Sequence, residues 1–191
     1  MKKIPTKLED CYIIEAPIFG DERGYYSPYF IQKDYDELGF TGVVQASKSK
    51  SAKGVLRGLH FQDEPKNQAK IVKVISGSAI DVVVDMREDS STFGMWEKVL
   101  LTDKNNKQLF VPHGFAHGFI SLEDNTIFDY LIDNDYAPDL EGGILWNDPE
   151  IGINWQEILD EYGITEPILS EKDIKREPLS KCKVRFRKER Q

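Results

Sequence analysis

Short runs rich in Val, Ile, Phe and Tyr recur along the chain, each stopped by Gly, Asn, Asp or Ser: "CYIIEAPIF", "GYYSPYF", "TGVVQAS", "GVLRGLHF", "AKIVKVISGSAIDVVVDM", "MWEKVLLT", "QLFVPHGFAHGFISL" and "TIFDYLI". β-Branched and aromatic side chains suit a pleated surface, and the breakers end each strand before it grows long. Evenly spaced strands of this kind hide their apolar faces by closing into a barrel or packing as a jelly roll. Only two stretches read as helices. They are "QKDYDELGF", stopped at Gly39, and "NWQEILDEYG", ending at Gly163, with acidic residues and a terminal glycine where helices favour them. No fixed-period repeat, low-complexity tract or linker divides the 191 residues, which therefore read as a single all-β domain. Its core spans about residues 10–147, and residues 148–191 supply a helix and an extended tail packed over the barrel.

Charge narrows the partners. The net charge is −8, yet the last eleven residues, "KCKVRFRKERQ", carry six Lys or Arg and one Glu, so the body is more acidic than the total suggests. An acidic body disfavours nucleic acid. In the tail Cys182, Val184 and Phe186 alternate with Lys183, Arg185 and Arg187, the period of a half-buried strand or arm lying on an acidic surface, of this chain or a neighbour. No run approaches the ~18 apolar residues of a membrane span, and the amino terminus lacks the apolar core of a signal peptide, so a cytoplasmic location is expected. Cys11 and Cys182, near opposite ends, read as ordinary thiols rather than a bridge.

Three histidines carry most of the chemical interest. His113 and His117 have i, i+4 spacing, but Pro112, Gly114 and Gly118 argue against a helix, and on a strand the two would lie ~13 Å apart, too far to share one ion. No metal site is expected. His60 sits in "VLRGLHFQ", where strict alternation places Leu56, Gly58, His60 and Gln62 on one face and Arg57, Leu59 and Phe61 on the other. The loop "DEPKNQ" then leads to "AKIVKV", and a hairpin there would bring Lys70 near the His60 strand. A histidine beside a cation suits general-base chemistry if a carboxylate fixes its tautomer. Asp81, Asp85, Asp148 and Asp173 are all candidates, and periodicity does not choose among them. A packed core imidazole bonded to a backbone carbonyl is an equally open reading of His60 from local sequence. Asp81, Val83 and Asp85 share one face of "AIDVVVDMR", either a lined pocket or a solvated exterior. No Gly-x-Ser-x-Gly, Cys–His neighbour or glycine-rich phosphate loop is present, which disfavours covalent catalysis and nucleotide hydrolysis.

Taken in order, "FGDERGYY", "GVLRGLHFQ", "QAKIVKVISG", "DVVVDMREDSSTFG", "VPHGFAHGF", "ILWNDPEIGINW" and "LSEKD" resemble the dTDP-4-dehydrorhamnose 3,5-epimerase family from about residue 19 to residue 173. The resemblance implies a cupin-type double-stranded β-helix (jelly-roll barrel), a homodimer, a nucleotide-sugar substrate and cofactor-free epimerisation of a 4-keto-6-deoxy sugar. Matched position by position, it makes His60 the base, Asp173 the carboxylate that orients it, Lys70 the cation that stabilises an enolate oxygen and Tyr130 the proton donor. It places Arg23, Gln45, Ser47, Arg57, His117, Glu141 and Lys172 among substrate-holding positions and makes Tyr136 the pocket aromatic. It also implies that the segment around Arg23 reaches into a partner's pocket.

This chain departs from the family pattern at Pro28, where a glutamate is usual, at Ala46 and Ser47, where Asp and Asn are usual, and at His113, where a glutamate is common. The four chemical positions are intact, and the altered ones belong to the set that reads the nucleotide. The alternatives are a single-carbon epimerase, another nucleotide, a 3,4-ketoisomerase, a metal-dependent oxygenase on a related barrel, and a non-catalytic sugar-nucleotide binding barrel.

Overall fold

The computed structural model describes residues 1–184 and 186–188. Its strands are β1 (Lys2–Pro5), β2 (Tyr12–Glu15), β3 (Phe19–Asp21), β4 (Gly24–Tyr26), β5 (Gln45–Ser51), β6 (Leu56–Gln62), β7 (Lys70–Ser76), β8 (Ser78–Asp85), β9 (Trp96–Thr102), β10 (Lys107–Val111), β11 (Phe115–Ser121), β12 (Thr126–Ile132) and β13 (Glu141–Gly143). Two antiparallel sheets hold eleven of them, in the orders β1-β2-β10-β7-β12-β5 and β13-β6-β11-β8-β9, while β3 and β4 form a separate hairpin. Strand pairing begins at residue 2, earlier than the expected core boundary near residue 10.

The burial pattern explains why two sheets face each other. Val72, Val74, Leu109, Val111 and Phe128 of the first sheet meet Ala79, Val83, Phe115 and Phe119 of the second in one apolar cluster. The outer face of the second sheet is also covered: Leu59, Phe61, Val82, Val84 and Met86 pack with Trp155, Ile158 and Leu159 of α2 (Trp155–Glu161). On the outer face of the first sheet, Ile14, Ile71, Phe110 and Leu131 pack with Tyr35 of α1 (Gln32–Asp36) and with Phe40. β8 is consequently buried along its whole length, so its apolar alternate residues face the C-terminal helix and Asp81 and Asp85 face inward. The acidic face is an interior one.

Four expectations are corrected. β6 and β7 are not a hairpin, because the loop between them crosses from one sheet to the other. Alternation along β6 breaks at Gly58, whose φ is +128° and whose missing Cβ would lie 2.6 Å from Gly118 Cα. The β6–β11 register shifts between His117 and Phe119, a bulge that turns Arg57 and His60 toward one cavity while Leu59 and Phe61 enter the core. The strand read as "TGVVQAS" begins only at Gln45 and runs on through "KSKS"; β5 is an edge strand, and its outward lysines, Lys48 and Lys50, lie exposed. Finally, the tail contains a further helix, α3 (Glu171–Ile174), with Ser170 as its N-cap.

The basic arm lies on an acidic surface of its own chain. Phe186 is buried and bridges Arg87, its carbonyl accepts from Glu88 N, and Lys188 pairs with Glu9. Among the described residues the arm makes a single bridge rather than a strand. Arg185 and residues 189–191 lie outside the described residues.

Candidate active site

A cavity of about 480 Å3 opens between the sheets and the C-terminal segment, with His60, Lys70, Tyr130 and Asp173 all on its wall. Each comes from a different element: β6, β7, β12 and α3. The sheet order makes this possible, because β7 and β12 are neighbours in one sheet and β6 and β11 in the other. Lys70 therefore reaches the cavity from the sheet opposite His60.

His60 Nε2 donates to Asp173 Oδ1 at 2.5 Å, which leaves the ring lone pair on Nδ1. Asp173 is held in turn by Ser170, whose hydroxyl donates to Oδ2 at 2.8 Å while its oxygen accepts from Asp173 N at 3.1 Å. This is a helix cap in which the capped residue also serves the histidine. Burial would raise the Asp173 carboxyl, but the hydrogen bonds from His60 and the Ser170 hydroxyl hold it below the usual range.

A second pair lies alongside. His117 is directly opposite His60 in the β6–β11 register, and its Nε2 donates to Asp81 Oδ2 at 2.7 Å. Both side chains are buried, and Asp81 Oδ1 has no hydrogen-bond partner among the described residues. Burial pushes the Asp81 carboxyl up, against the opposing pull of His117 and Lys70. Among the described residues Lys70 makes no side-chain hydrogen bond or ion pair; desolvation pulls it down to about 8, and Asp81, Glu141 and Asp133 act on it from farther away. Tyr130 packs against Phe128 and edge-on against His117, with its hydroxyl 3.3 Å from Ser49 Oγ. Burial pushes that phenol up to about 12, so it stays protonated at neutral pH and can donate.

Arg57, His117 and Lys172 share the same wall. Gln45, Ser47, Tyr136 and Glu141 form a polar group joined to it through Lys172: Gln45 Nε2 donates to Ser47 Oγ, Tyr136 N to Gln45 Oε1, Tyr136 Oη to Glu141 Oε2 at 2.6 Å, and Lys172 Nζ to Glu141 Oε1 at 2.5 Å. Arg23 is the exception. It sits in the β3–β4 hairpin, its side chain 82 % exposed and paired, among the described residues, only with Asp21 in the same hairpin, and it does not line the cavity. His113 and His117 turn to separate carboxylates, Asp133 and Asp81, and among the described residues no cluster of His, Cys, Asp and Glu is arranged to hold a metal. Sequence reasoning missed Ser49 and Ser170 and offered Asp81 as one candidate partner of His60, whereas it pairs with His117. A signal for Ser170 existed in Ser-x-x-Asp ahead of a helix.

The profile of the dTDP-4-dehydrorhamnose 3,5-epimerase family matches residues 5–181. A dTDP-4-dehydrorhamnose 3,5-epimerase of Methanothermobacter thermautotrophicus is 45 % identical over 178 residues, covering 92 % of this chain and 93 % of that protein. The crystal structure of an epimerase from Legionella pneumophila in complex with dTDP-4-keto-L-rhamnose superposes with a TM-score of 0.89 at 38 % identity, covering 98 % of this chain and 99 % of the other. A 3′-monoepimerase from Streptomyces bikiniensis, in complex with dTDP-quinovose, is 33 % identical with a TM-score of 0.83, covering 93 % and 87 %. Sequence and backbone agree over nearly the whole length, and the chain belongs to the dTDP-4-dehydrorhamnose 3,5-epimerase family.

Proposed function

We propose that this protein epimerises C3 and C5 of dTDP-4-keto-6-deoxy-D-glucose, giving dTDP-4-keto-L-rhamnose for nucleotide-sugar biosynthesis, and that the protein's own side chains perform the chemistry. The observation that carries the reading is the His60–Asp173 pair in one cavity with Lys70 and Tyr130. A ketone at C4 acidifies the hydrogens on C3 and C5. His60 Nδ1 takes one of them, and Asp173 stabilises the imidazolium that results. Electron density moves to the C4 oxygen, where the Lys70 ammonium, unpaired among the described residues, meets the developing charge. Tyr130 then returns a proton to the opposite face, which inverts the carbon. Arg57, His117 and Lys172 hold the remainder of the substrate, with Gln45, Ser47, Tyr136 and Glu141 around it.

The protein works as a cytoplasmic homodimer in this reading. The hairpin supports a shared site: Phe19, Tyr25 and Tyr26 are 60 %, 67 % and 68 % exposed and Arg23 is exposed without lining its own cavity, as expected of a surface that a second copy covers. Mixing inactive Arg23→Ala with inactive His60→Asn tests this, because a mixed dimer with shared sites regains one intact site. No recovery in mixed dimers sinks the shared site.

Proton NMR of the substrate in deuterium oxide tests the reaction. Loss of the C3 and C5 signals with formation of the L-lyxo sugar is expected, and His60→Asn should abolish both while still binding nucleotide. The similarity to a 3′-monoepimerase favours one second reading, epimerisation at C3 alone, in which the C5 signal persists.

A further inference from the structure

We propose that Ser49 is the positioning residue for Tyr130 and the route by which its proton is replaced. This rests on the reading of Tyr130 as the acid. When Tyr130 protonates carbon, its O–H bond breaks, a C–H bond forms, and a phenolate remains in a place where burial disfavours it. The next turnover needs that proton back. The only side-chain hydrogen bond of the Tyr130 hydroxyl among the described residues is the one with Ser49, at 3.3 Å.

The register fixes this contact. Phe128 stands directly opposite Ser49 and Tyr130 opposite Ser47, so Ser49 is the diagonal neighbour of Tyr130, a separation that only a long side chain spans. The phenol does so with its oxygen. Among the described residues β5 pairs on one side only, and Ser49, half-buried between exposed Lys48 and Lys50, lines the cavity from the edge of the sheet. In the relay, Ser49 Oγ–H passes its proton to the Tyr130 phenolate as water supplies one to Oγ. The net donor is water, and the proton taken by His60, whose side chain is 32 % exposed, leaves to solvent.

The strand repeats the device. Ser47, Ser49 and Ser51 occur at every second position, and each hydroxyl holds a different site side chain: Gln45 Nε2 at 2.8 Å, Tyr130 Oη at 3.3 Å and Arg57 Nε at 3.2 Å. The period of two places all three on one face. A strand that otherwise carries lysines outward thus offers a row of hydroxyls inward.

The test compares Ser49→Ala, Ser49→Thr and Tyr130→Phe by following deuterium exchange and inversion separately in deuterium oxide. Exchange without inversion reports His60 alone; inversion needs Tyr130. Ser49→Ala should keep exchange near the wild-type rate while inversion slows about tenfold or more, with Ser49→Thr restoring it. Equal slowing of both processes in Ser49→Ala, or no slowing of either, beside a Tyr130→Phe enzyme that selectively loses inversion, overturns the role of Ser49. Full inversion by Tyr130→Phe overturns the reading of Tyr130 and the relay with it.

Discussion

Replacing Lys70 by methionine should make the protein more stable and nearly inactive. The ammonium sits on the cavity wall with no contacting anion among the described residues, and desolvation lowers it from the ordinary 10.5 to about 8. That drop corresponds to about 3 kcal/mol of preference for the neutral amine in the folded chain. Because the side chain faces an open cavity, about 1–3 kcal/mol is the recoverable range. The sign follows from proton counts. Below pH 8 the lysine is charged in both states and the folded state bears the full cost. Between about 8 and 10.5 the unfolded chain holds the proton more tightly, so wild-type stability rises with pH and the cost disappears. Methionine, unbranched and of similar length, removes the charge without opening a large cavity. Urea unfolding followed by the fluorescence of the three tryptophans should show Lys70→Met ahead by about 1–3 kcal/mol at pH 7, with the gap shrinking by pH 9.5. Turnover should fall by ~10²–10³, the usual loss when a donor to a developing oxyanion is removed. Wild-type activity should decline as pH rises through about 8 for the same reason. A variant less stable than wild type at pH 7, or a gap identical at both pH values, refutes the reasoning.

Asp173→Asn should lower kcat by ~10²–10⁴ with KM little changed, because an amide neither fixes the His60 tautomer nor stabilises its imidazolium; steady-state kinetics decide, and an equal fall in binding would count against an orienting role. Gly58→Ala should cost more than ~1 kcal/mol in urea unfolding, since a Cβ there meets Gly118 Cα at 2.6 Å and His117 O at 2.9 Å on a backbone with φ +128°. An alanine variant of wild-type stability would mean that the bulge relaxes. Phe186→Ala should destabilise by about 3–5 kcal/mol while leaving kcat intact, because its buried ring packs edge-on against Phe61 at 5.3 Å. Thermal unfolding would expose a failure of that packing argument.

The strands were legible wherever both faces or one face is apolar, which covers β6 to β12. β5 was half hidden, because an edge strand advertises its outward lysines and conceals its pairing. Motif order found His60, Lys70, Tyr130 and Asp173, but periodicity could not, since the four meet only after two sheets and the C-terminal segment assemble. The reading of Arg57 as facing away from His60 failed for one local reason: a glycine in a conformation closed to other residues shifts the strand by a residue, and alternation does not survive a bulge. Asp81 posed a different problem. Its interior position was one of two open readings of an acidic strand face, and its bond to His117 joins positions 36 apart in different strands.

The segment that carries Asp173 joins β6 through two main-chain hydrogen bonds, Ile168 N to Gly54 O and Leu56 N to Ile168 O, and Ile168 remains 56 % exposed. The sheets behind it are bound by ladders several residues long on each pair of strands. Such an arm peels away at a lower free energy than the barrel melts. Inactivation is therefore a local event: catalysis should fade at denaturant concentrations where tryptophan fluorescence still reports a folded barrel, and recover at once on dilution, because returning a short segment to a standing wall needs none of the slow sheet assembly that refolding the whole chain requires.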